Sequence, residues 1–296
     1  MILFNGELVI FLLYNVFSEV ENKKQKDMTI METQGYKYEV HLHTAQSSKC
    51  GFTPGQEYIE SFKAAGYDGI IVTDHFYHGN TAIDRNLPWK EFVEEFCKGY
   101  EAAKEEGDRL GFKVFFGWEE NYQNDEFLIY GLDKEWLINH YEILHADQKE
   151  MFEMVRAEGG AVVQAHPFRE RDYIKKVNVH PFQCDAMEVS NFGNSPEQDI
   201  LAYNFCKERG ITMTSGTDIH NKVVLDAATT GMVFEKPLES INDYVAAIKS
   251  GKGFTPLIAP ERRGPIESAT MHLPTYLYDE NNEPHLVTKE DLFPGK

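Results

Sequence analysis

Residues 36–43 read Tyr-Lys-Tyr-Glu-Val-His-Leu-His, so polar and apolar side chains alternate along them and the run closes on His41 and His43. Such alternation is typical of a half-buried β-strand. Residues two positions apart on a strand point to the same face, so both imidazoles can reach one metal ion. Taken alone, the pair is equally consistent with two partly exposed strand histidines, and the rest of the chain has to decide.

Strand-like and helix-like segments alternate along the remaining sequence. Segments at 69–73, 112–118, 127–130, 161–165, 187–190, 212–215 and 230–234 predict further strands, and the first of them is a continuous apolar run. About seven strand–helix units in series predict parallel pairing with right-handed crossovers. The expected fold class is therefore α/β, a single barrel of the TIM type, in which the C-termini of the strands converge on one face.

Residues able to bind metal follow the ends of these strands. Imidazole nitrogens and carboxylate oxygens are the ligands that Zn, Mn and Fe prefer. The predicted metal ligands are His41, His43, His75, Glu119, His166, Asp218 and His220. Glu119 is preferred to Glu120, with a solvated loop carboxylate as the alternative. For His166 the alternative is a buried core histidine, and the following Pro167 predicts an extended backbone.

Three residues near the predicted ligands are candidates for catalysis. Asp74 precedes His75 and is expected to accept a hydrogen bond that orients an imidazole. Arg169 follows His166, where a guanidinium group can hold phosphate oxygens; Arg171 is a weaker candidate, and an ordinary surface arginine is the alternative for both. His220 or Asp74 is expected to pass a proton to the leaving group.

Composition limits the partners and the compartment. A formal net charge of −19 over 296 residues repels polyanions, so no long nucleic acid is expected as partner. The four cysteines have no close spacing, which predicts a reduced, cytoplasmic protein. Residues 2–17 are apolar but interrupted by polar residues, so no membrane segment is expected.

Residues 1–33 are expected to be an N-terminal extension. Two explanations are open: translation starts at Met28 or Met31, so that the preceding residues are not part of the protein, or the extension is an additional strand or helix packed on the barrel. Residues 34–254 form the predicted barrel, and residues 255–296 an irregular tail.

The order of these motifs resembles the polymerase and histidinol phosphatase (PHP) superfamily of metal-dependent phosphoesterases. The motifs are His41-Leu-His43, Thr73-Asp-His75, Gly117-Trp-Glu119, Ala165-His166-Pro167 and Thr217-Asp218-Ile-His220. The resemblance spans about residues 36–253 and implies a distorted (β/α)7 barrel with two or three divalent ions. It implies one ion held by the ligands His41, His43, Glu119 and Asp218. It implies a second on Glu119 and His166 and a third on His75 and His220.

Two parts of the chain depart from the family pattern. The family usually has a further His or Asp soon after the first histidine pair, where this chain has Ser47-Ser-Lys-Cys50. It often has a histidine on the strand after the glutamate, where this chain has Phe127-Leu-Ile-Tyr130. Cys50, Asp125 or Asn191 are the candidates to complete the second and third ion sites.

The expected function is hydrolysis of a small phosphomonoester by a hydroxide that bridges two of the metal ions. A substrate similar to histidinol phosphate, or a nucleotide, fits the resemblance. Two alternatives remain: an exonuclease that cleaves phosphodiesters, and a non-catalytic metal-binding module with a degenerate site.

Overall fold

The computed structural model describes residues 35–227 and 230–295, so the predicted extension at residues 1–33 lies outside the described residues. The described strands are β1 (Tyr36–Glu39), β2 (Gly69–Val72), β3 (Lys113–Tyr122), β4 (Asp125–Tyr130), β5 (Ala161–Gln164), β6 (Val177–Val179), β7 (Ala186–Asn191), β8 (Met213–Gly216), β9 (Met232–Phe234), β10 (Phe254–Pro256), β11 (Thr275–Tyr278) and β12 (Pro284–Val287). The described α-helices are α1 (Gly55–Ala64), α2 (Trp89–Phe96), α3 (Lys98–Leu110), α4 (Lys134–Asn139), α5 (Gln148–Ala157), α6 (Pro196–Arg209), α7 (Ile241–Ser250) and α8 (Lys289–Leu292).

Nine strands form one large sheet with the order β10-β9-β1-β2-β3-β4-β5-β7-β8. The chain that follows β8 returns to the chain that follows β1. Asp218 N donates to His41 O at 2.8 Å, and His43 N donates to Ile219 O at 3.0 Å. This pairing nearly closes the sheet, so the prediction of a distorted, TIM-like α/β barrel is confirmed, while a count of seven strand–helix units is only approximate.

The prediction of parallel pairing throughout the series is wrong at two places. β4 runs antiparallel to both β3 and β5, and β9 runs antiparallel to both β1 and β10. The β3–β4 connection is a tight hairpin, in which Gln123 and Asn124 have positive φ angles of 56° and 77°. Two consecutive residues of this kind reverse the chain within two positions, which leaves no room for a crossover helix.

The C-terminal segment contains regular structure where the sequence predicted an irregular tail. β11 pairs with β12 as an antiparallel hairpin, and β11 pairs in parallel with β6. Pro284 begins the edge strand β12, a position where the missing backbone N–H removes no ladder bond. The division of the chain into an extension, a barrel and a tail stays a prediction.

The strands of the barrel are buried on both faces up to the point where the site begins. All four residues of β2 are buried, and the polar residues Thr73, Asp74 and His75 follow directly. The same change from apolar to polar residues occurs after β5 and β8. All four cysteines are free thiols. No helix among the described residues has the length and apolar character needed to cross a membrane.

Candidate metal centre

His41 and His43 form the middle of a buried cluster at the C-terminal end of β1. Both side chains are fully buried, and their Nε2 atoms lie 3.1 Å apart. Two imidazole nitrogens this close, on one side of an extended chain, are placed to share one ion.

Two carboxylates complete the group around this pair. Glu119 lies in β3, and its Oε1 is 3.3 Å from His41 Nε2. Asp218 lies after β8, and its Oδ1 is 3.1 Å from His43 Nε2 and 3.5 Å from His41 Nε2. Four ligand residues from three different strands therefore converge on one point. The parallel arrangement of β1, β2 and β3 brings Glu119 to the histidine pair, and the return of the chain after β8 brings Asp218 there.

A second group shares Glu119 and includes a residue that the sequence did not predict. His75 Nδ1 lies 2.7 Å from Glu119 Oε2, and His166 Nε2 lies 3.3 Å from Glu119 Oε1. Glu126 adds a carboxylate, with Oε2 3.4 Å from His166 Nε2 and Oε1 4.0 Å from His75 Nδ1. Because β4 is antiparallel, its first residues, and not its last, lie at the ligand-bearing edge, and this places Glu126 beside His75 and His166.

A third group contains His43, His75 and His220, whose ligand atoms lie within 4.8 Å of one another. The rings of His43 and His220 stack with centroids 4.4 Å apart. Cys50 borders this group and hydrogen bonds to both His75 and His220. Burial raises the pKa of the Cys50 thiol, but these two histidines outweigh it and bring the pKa to about 6.

The backbone is strained at two of the predicted ligands. His166 has a φ of 31° and Asp218 a φ of 53°, values that residues other than glycine rarely adopt. The prediction of an extended backbone at His166 is therefore wrong, although Pro167 follows it. The His166 N–H donates to Glu188 Oε2 at 3.1 Å, which is a tertiary contact, and its carbonyl accepts from Arg169 N at 2.9 Å in a local turn; together these two bonds hold the conformation.

Glu188 in β7, which the sequence analysis did not select, connects several ligands. Its Oε1 is 3.0 Å from His41 Nδ1, and its Oε2 accepts from both His166 N and Asn191 Nδ2. A carboxylate on the outer nitrogen of a ligand histidine fixes the ring's orientation and tautomer. Glu188 is the one charged residue in the sequence of β7, and a charge inside a predicted strand is the signal that could have identified it.

Arg169 is held on the inner wall of the site. Its Nη2 contacts Asp218 Oδ2 at 2.8 Å and Asn191 Oδ1 at 2.7 Å, and its Nε donates to Asn194 Oδ1 at 2.7 Å. Nη1 makes no hydrogen bond within the described part of the chain. Arg171 instead bonds to Gly193 O and to neighbouring loop atoms, away from the cluster.

Asp74 acts on the cluster through an intermediate hydroxyl. Its oxygens accept from Thr44 N at 2.6 Å, Thr44 Oγ1 at 2.7 Å and Ser48 Oγ at 2.7 Å. Ser48 Oγ lies 3.2 Å from His43 Nδ1. Asp74 is therefore placed to orient the ring of His43 through Ser48.

Three other candidates lie outside the ligand groups. Glu120 accepts from His78 N and Asn121 N on the opposite face of β3. Asp125 binds Asn178 and His180, and Asn191 binds Glu188 and Arg169. Neither Asp125 nor Asn191 lies among the grouped ligand atoms of the described residues.

The charges and unpaired atoms of the cluster fit divalent cations. Among the described residues, both oxygens of the buried Glu119 and Nδ1 of His75 make no well-oriented hydrogen bond, although ring nitrogens lie 2.7 to 3.3 Å from the carboxylate. Buried polar atoms are seldom left unpaired, so these lone pairs suit a cation. Burial alone raises the pKa of Glu119, but His75 and His41 outweigh it and hold the pKa well below its usual value. Burial likewise raises the pKa of Asp218, but His41 and Arg169 hold it well below the usual range.

Comparison with known proteins gives the following relatives. Residues 39–175 match the family model of the PHP domain. A two-domain protein from Bacteroides vulgatus, with a predicted PHP-like metal-dependent phosphoesterase, is 15% identical with a TM-score of 0.53. The match covers 75% of this chain and 64% of the Bacteroides chain, so it spans less than two thirds of that protein. No curated protein matches the chain.

Two further solved structures are more distant in fold. A proposed metal-dependent phosphoesterase from Bifidobacterium adolescentis is 16% identical with a TM-score of 0.48, over 74% of this chain and 96% of that one. A lesion-specific endonuclease from Pyrococcus furiosus is 14% identical with a TM-score of 0.47, over 75% of this chain and 57% of that one. The family-model match covers the motifs from the first histidine pair to His166, and the barrel carries the remaining ligands to the same edge. The similarity to the PHP domain is therefore established for residues 39–175, which carry five of the seven predicted ligands.

Proposed function

We propose that the protein is a metal-dependent phosphatase that hydrolyses small phosphomonoesters. The observation that carries this proposal is the convergence of five histidines and three carboxylates, from strand ends up to 180 residues apart in sequence, on one buried cluster. The match to the PHP domain supports the same chemistry.

The residues divide into three ligand sets. His41, His43, Glu119 and Asp218 would hold one ion; Glu119, Glu126 and His166 a second; and His75, His220 and Cys50 a third. Zn, Mn or Fe suit these ligands. Bound ions would supply positive charge that lowers the pKa of water and balances the charge of phosphate oxygens.

Arg169 and His220 would act on the substrate directly. Arg169 is held by Asp218 and Asn191 through Nη2, so its free Nη1 is fixed in place to donate to a phosphate oxygen. His220 has the most exposed side chain among the ion-paired histidines of the cluster, at 27%. With two ions bound, its Nε2 is available to protonate the leaving alkoxide; with three, His220 is a ligand. Asp74 positions His43.

The charge of the chain favours small substrates. A net charge of −19 opposes the approach of a polynucleotide, whereas a single phosphate group needs only the local charge of the site.

The test is a panel of phosphomonoesters assayed with added Mn²⁺ or Zn²⁺, together with elemental analysis of the protein. Glu119→Gln is expected to lower both metal content and phosphate release by at least about a hundredfold, since it removes a carboxylate shared by two sets. Glu120→Gln makes the same change on the opposite face of β3 and is expected to leave both unchanged.

Three results would contradict the proposal. No phosphate release from any ester by metal-replete protein would do so. One tightly bound ion without turnover would favour a non-catalytic metal-binding module. Faster release of mononucleotides from single-stranded oligonucleotides than of phosphate from monoesters would favour an exonuclease.

A further inference from the structure

A cleft extends outward from the second ligand group. Its lining includes Glu126, His166 and Arg169. Its outer part, beyond the ligand groups, is lined by Asp125, Asn178, Tyr173 and Lys176. A phosphate held by Arg169 would therefore direct the alcohol part of its ester into this outer part.

Asp125 is held rigidly on the cleft wall without a cationic lysine or arginine partner. Both of its oxygens accept from Asn178 Nδ2, at 3.0 and 2.9 Å, and Oδ2 also contacts His180 Nε2 at 3.1 Å. His180 is in turn stacked on Tyr278, with ring centroids 4.0 Å apart. The carboxylate is thus fixed by neighbours from β6 and β11 and keeps lone pairs for further donors.

Asn178 holds Asp125 in place and is not itself a contact for a ligand. It is 4% exposed, its Oδ1 is buried without a hydrogen-bond partner among the described residues, and its Nδ2 is committed to Asp125. The carboxylate of Asp125 is therefore the acceptor that this part of the cleft offers to a ligand with hydrogen-bond donors.

The lining also supplies a flat ring and balanced charge. Tyr173 is 68% exposed, so its ring is available to pack against a ligand. Lys176 and Arg169 line the same cleft as Asp125 and Glu126, so the two cations are matched by two carboxylates. Neutral hydroxyl groups can both donate to a carboxylate and accept from a cation.

We propose that this cleft is the subsite for the alcohol part of the substrate and that it selects phosphate esters of polyhydroxylated, sugar-like alcohols. Asp125 accepts from the hydroxyl groups, and the ring of Tyr173 covers the carbon face of the ligand. The inference rests on the proposed phosphatase function, because the phosphate has to lie at the metal end of the cleft.

The experiment compares ribose 5-phosphate with n-pentyl phosphate, which has the same number of carbons and no hydroxyl groups. We expect wild-type protein to prefer ribose 5-phosphate in kcat/KM by at least about tenfold, since a site built for hydroxyl groups disfavours an analogue without them. Asp125→Asn is expected to lower this preference by about tenfold, mainly through KM for ribose 5-phosphate. Tyr173→Ala changes an exposed residue and is expected to lower the preference without affecting folding. Asp108→Asn, an exposed residue of α3, is the charge-matched control.

The possible results separate the two proposals. A wild-type preference below twofold, a preference for an aminoalkyl phosphate, or an equal loss on both esters in Asp125→Asn would overturn the subsite. If no ester is hydrolysed, the phosphatase proposal fails. In that case the Kd of each of the two esters is measured by calorimetry in the presence of Mn²⁺. Tighter binding of ribose 5-phosphate than of n-pentyl phosphate, lost in Asp125→Asn, still supports the subsite.

Discussion

Replacing Glu188 by glutamine changes one atom of the residue that connects His41, His166 and Asn191. Its Oε2 accepts from His166 N at 3.1 Å and from Asn191 Nδ2 at 2.8 Å, so an amide NH₂ at that position would face two donors. The amide oxygen must therefore take the place of Oε2, and the NH₂ group must face His41 Nδ1.

This orientation reverses the tautomer of His41. With a carboxylate 3.0 Å from Nδ1, the proton of neutral His41 stays on Nδ1, and Nε2 has a free lone pair toward His43 and Asp218. With an NH₂ donor there, Nδ1 must accept and the proton moves to Nε2, where it blocks metal binding. Loss of such an outer partner typically weakens metal affinity by about 10- to 100-fold, or about 1.4 to 2.7 kcal/mol.

The assay is a calorimetric or chelator-competition measurement of the Kd for Mn²⁺ and Zn²⁺ in wild-type protein and Glu188→Gln. Glu120→Gln serves as control, because it converts a buried carboxylate that contacts no ligand histidine. Thermal unfolding without metal checks that the variant is folded. A Kd within about twofold of wild type in folded Glu188→Gln would refute the tautomer argument.

Three further predictions concern other parts of the site. In metal-free protein, Cys50, with its pKa of about 6, is expected to react with iodoacetamide at a rate that reaches half its maximum near pH 6 and levels off above pH 7, while the other three cysteines stay slow; mass spectrometry after timed labelling measures this. Gly216→Ala places a Cβ 2.6 Å from His41 Cβ and is expected to lower the free energy of unfolding by about 1 to 3 kcal/mol, measured by urea titration; an unchanged midpoint would contradict the close contact. Arg262 Nη1 lies 2.7 Å from the buried carboxylate of Asp199, and Arg262→Met leaves that carboxylate without its cation. The variant is expected to lower the free energy of unfolding by about 3 to 5 kcal/mol. A decrease below about 1 kcal/mol in the same urea titration would show that the ion pair is not needed for stability.

The position of the site was predictable because its ligands follow the ends of parallel strands. Once β1, β2, β5 and β8 were recognised from their apolar runs, the polar residues after them had to lie at one edge of the barrel. The structure brings all seven predicted ligand residues into one cluster. Their roles as metal ligands remain predictions, and the experiments above address them.

Glu126 could not be predicted by this reasoning. It depends on β4 being antiparallel, which follows from the two-residue turn at Gln123 and Asn124. Neither residue is a glycine, so the usual sequence signal for such a hairpin is absent. On this strand the sequence pattern pointed to Phe127–Tyr130 and to Asp125, and nothing in it pointed to Glu126.

His166 shows where a local rule yields to tertiary structure. The proline that follows it favours an extended backbone, yet hydrogen bonds to Glu188 and Arg169 hold a left-handed one. No pattern within a few residues of His166 contains this information, because Glu188 is 22 residues away.

The left-handed backbones of His166 and Asp218 have a consequence for anyone who transfers this ligand set to a designed barrel. Idealised scaffolds exclude such conformations for residues with side chains, and glycine, which adopts them freely, has no atom to offer a cation. A transplanted site would thus need the surrounding supports as well as the ligands. Grafting the side chains alone onto regular strands would direct two of the donors away from the centre.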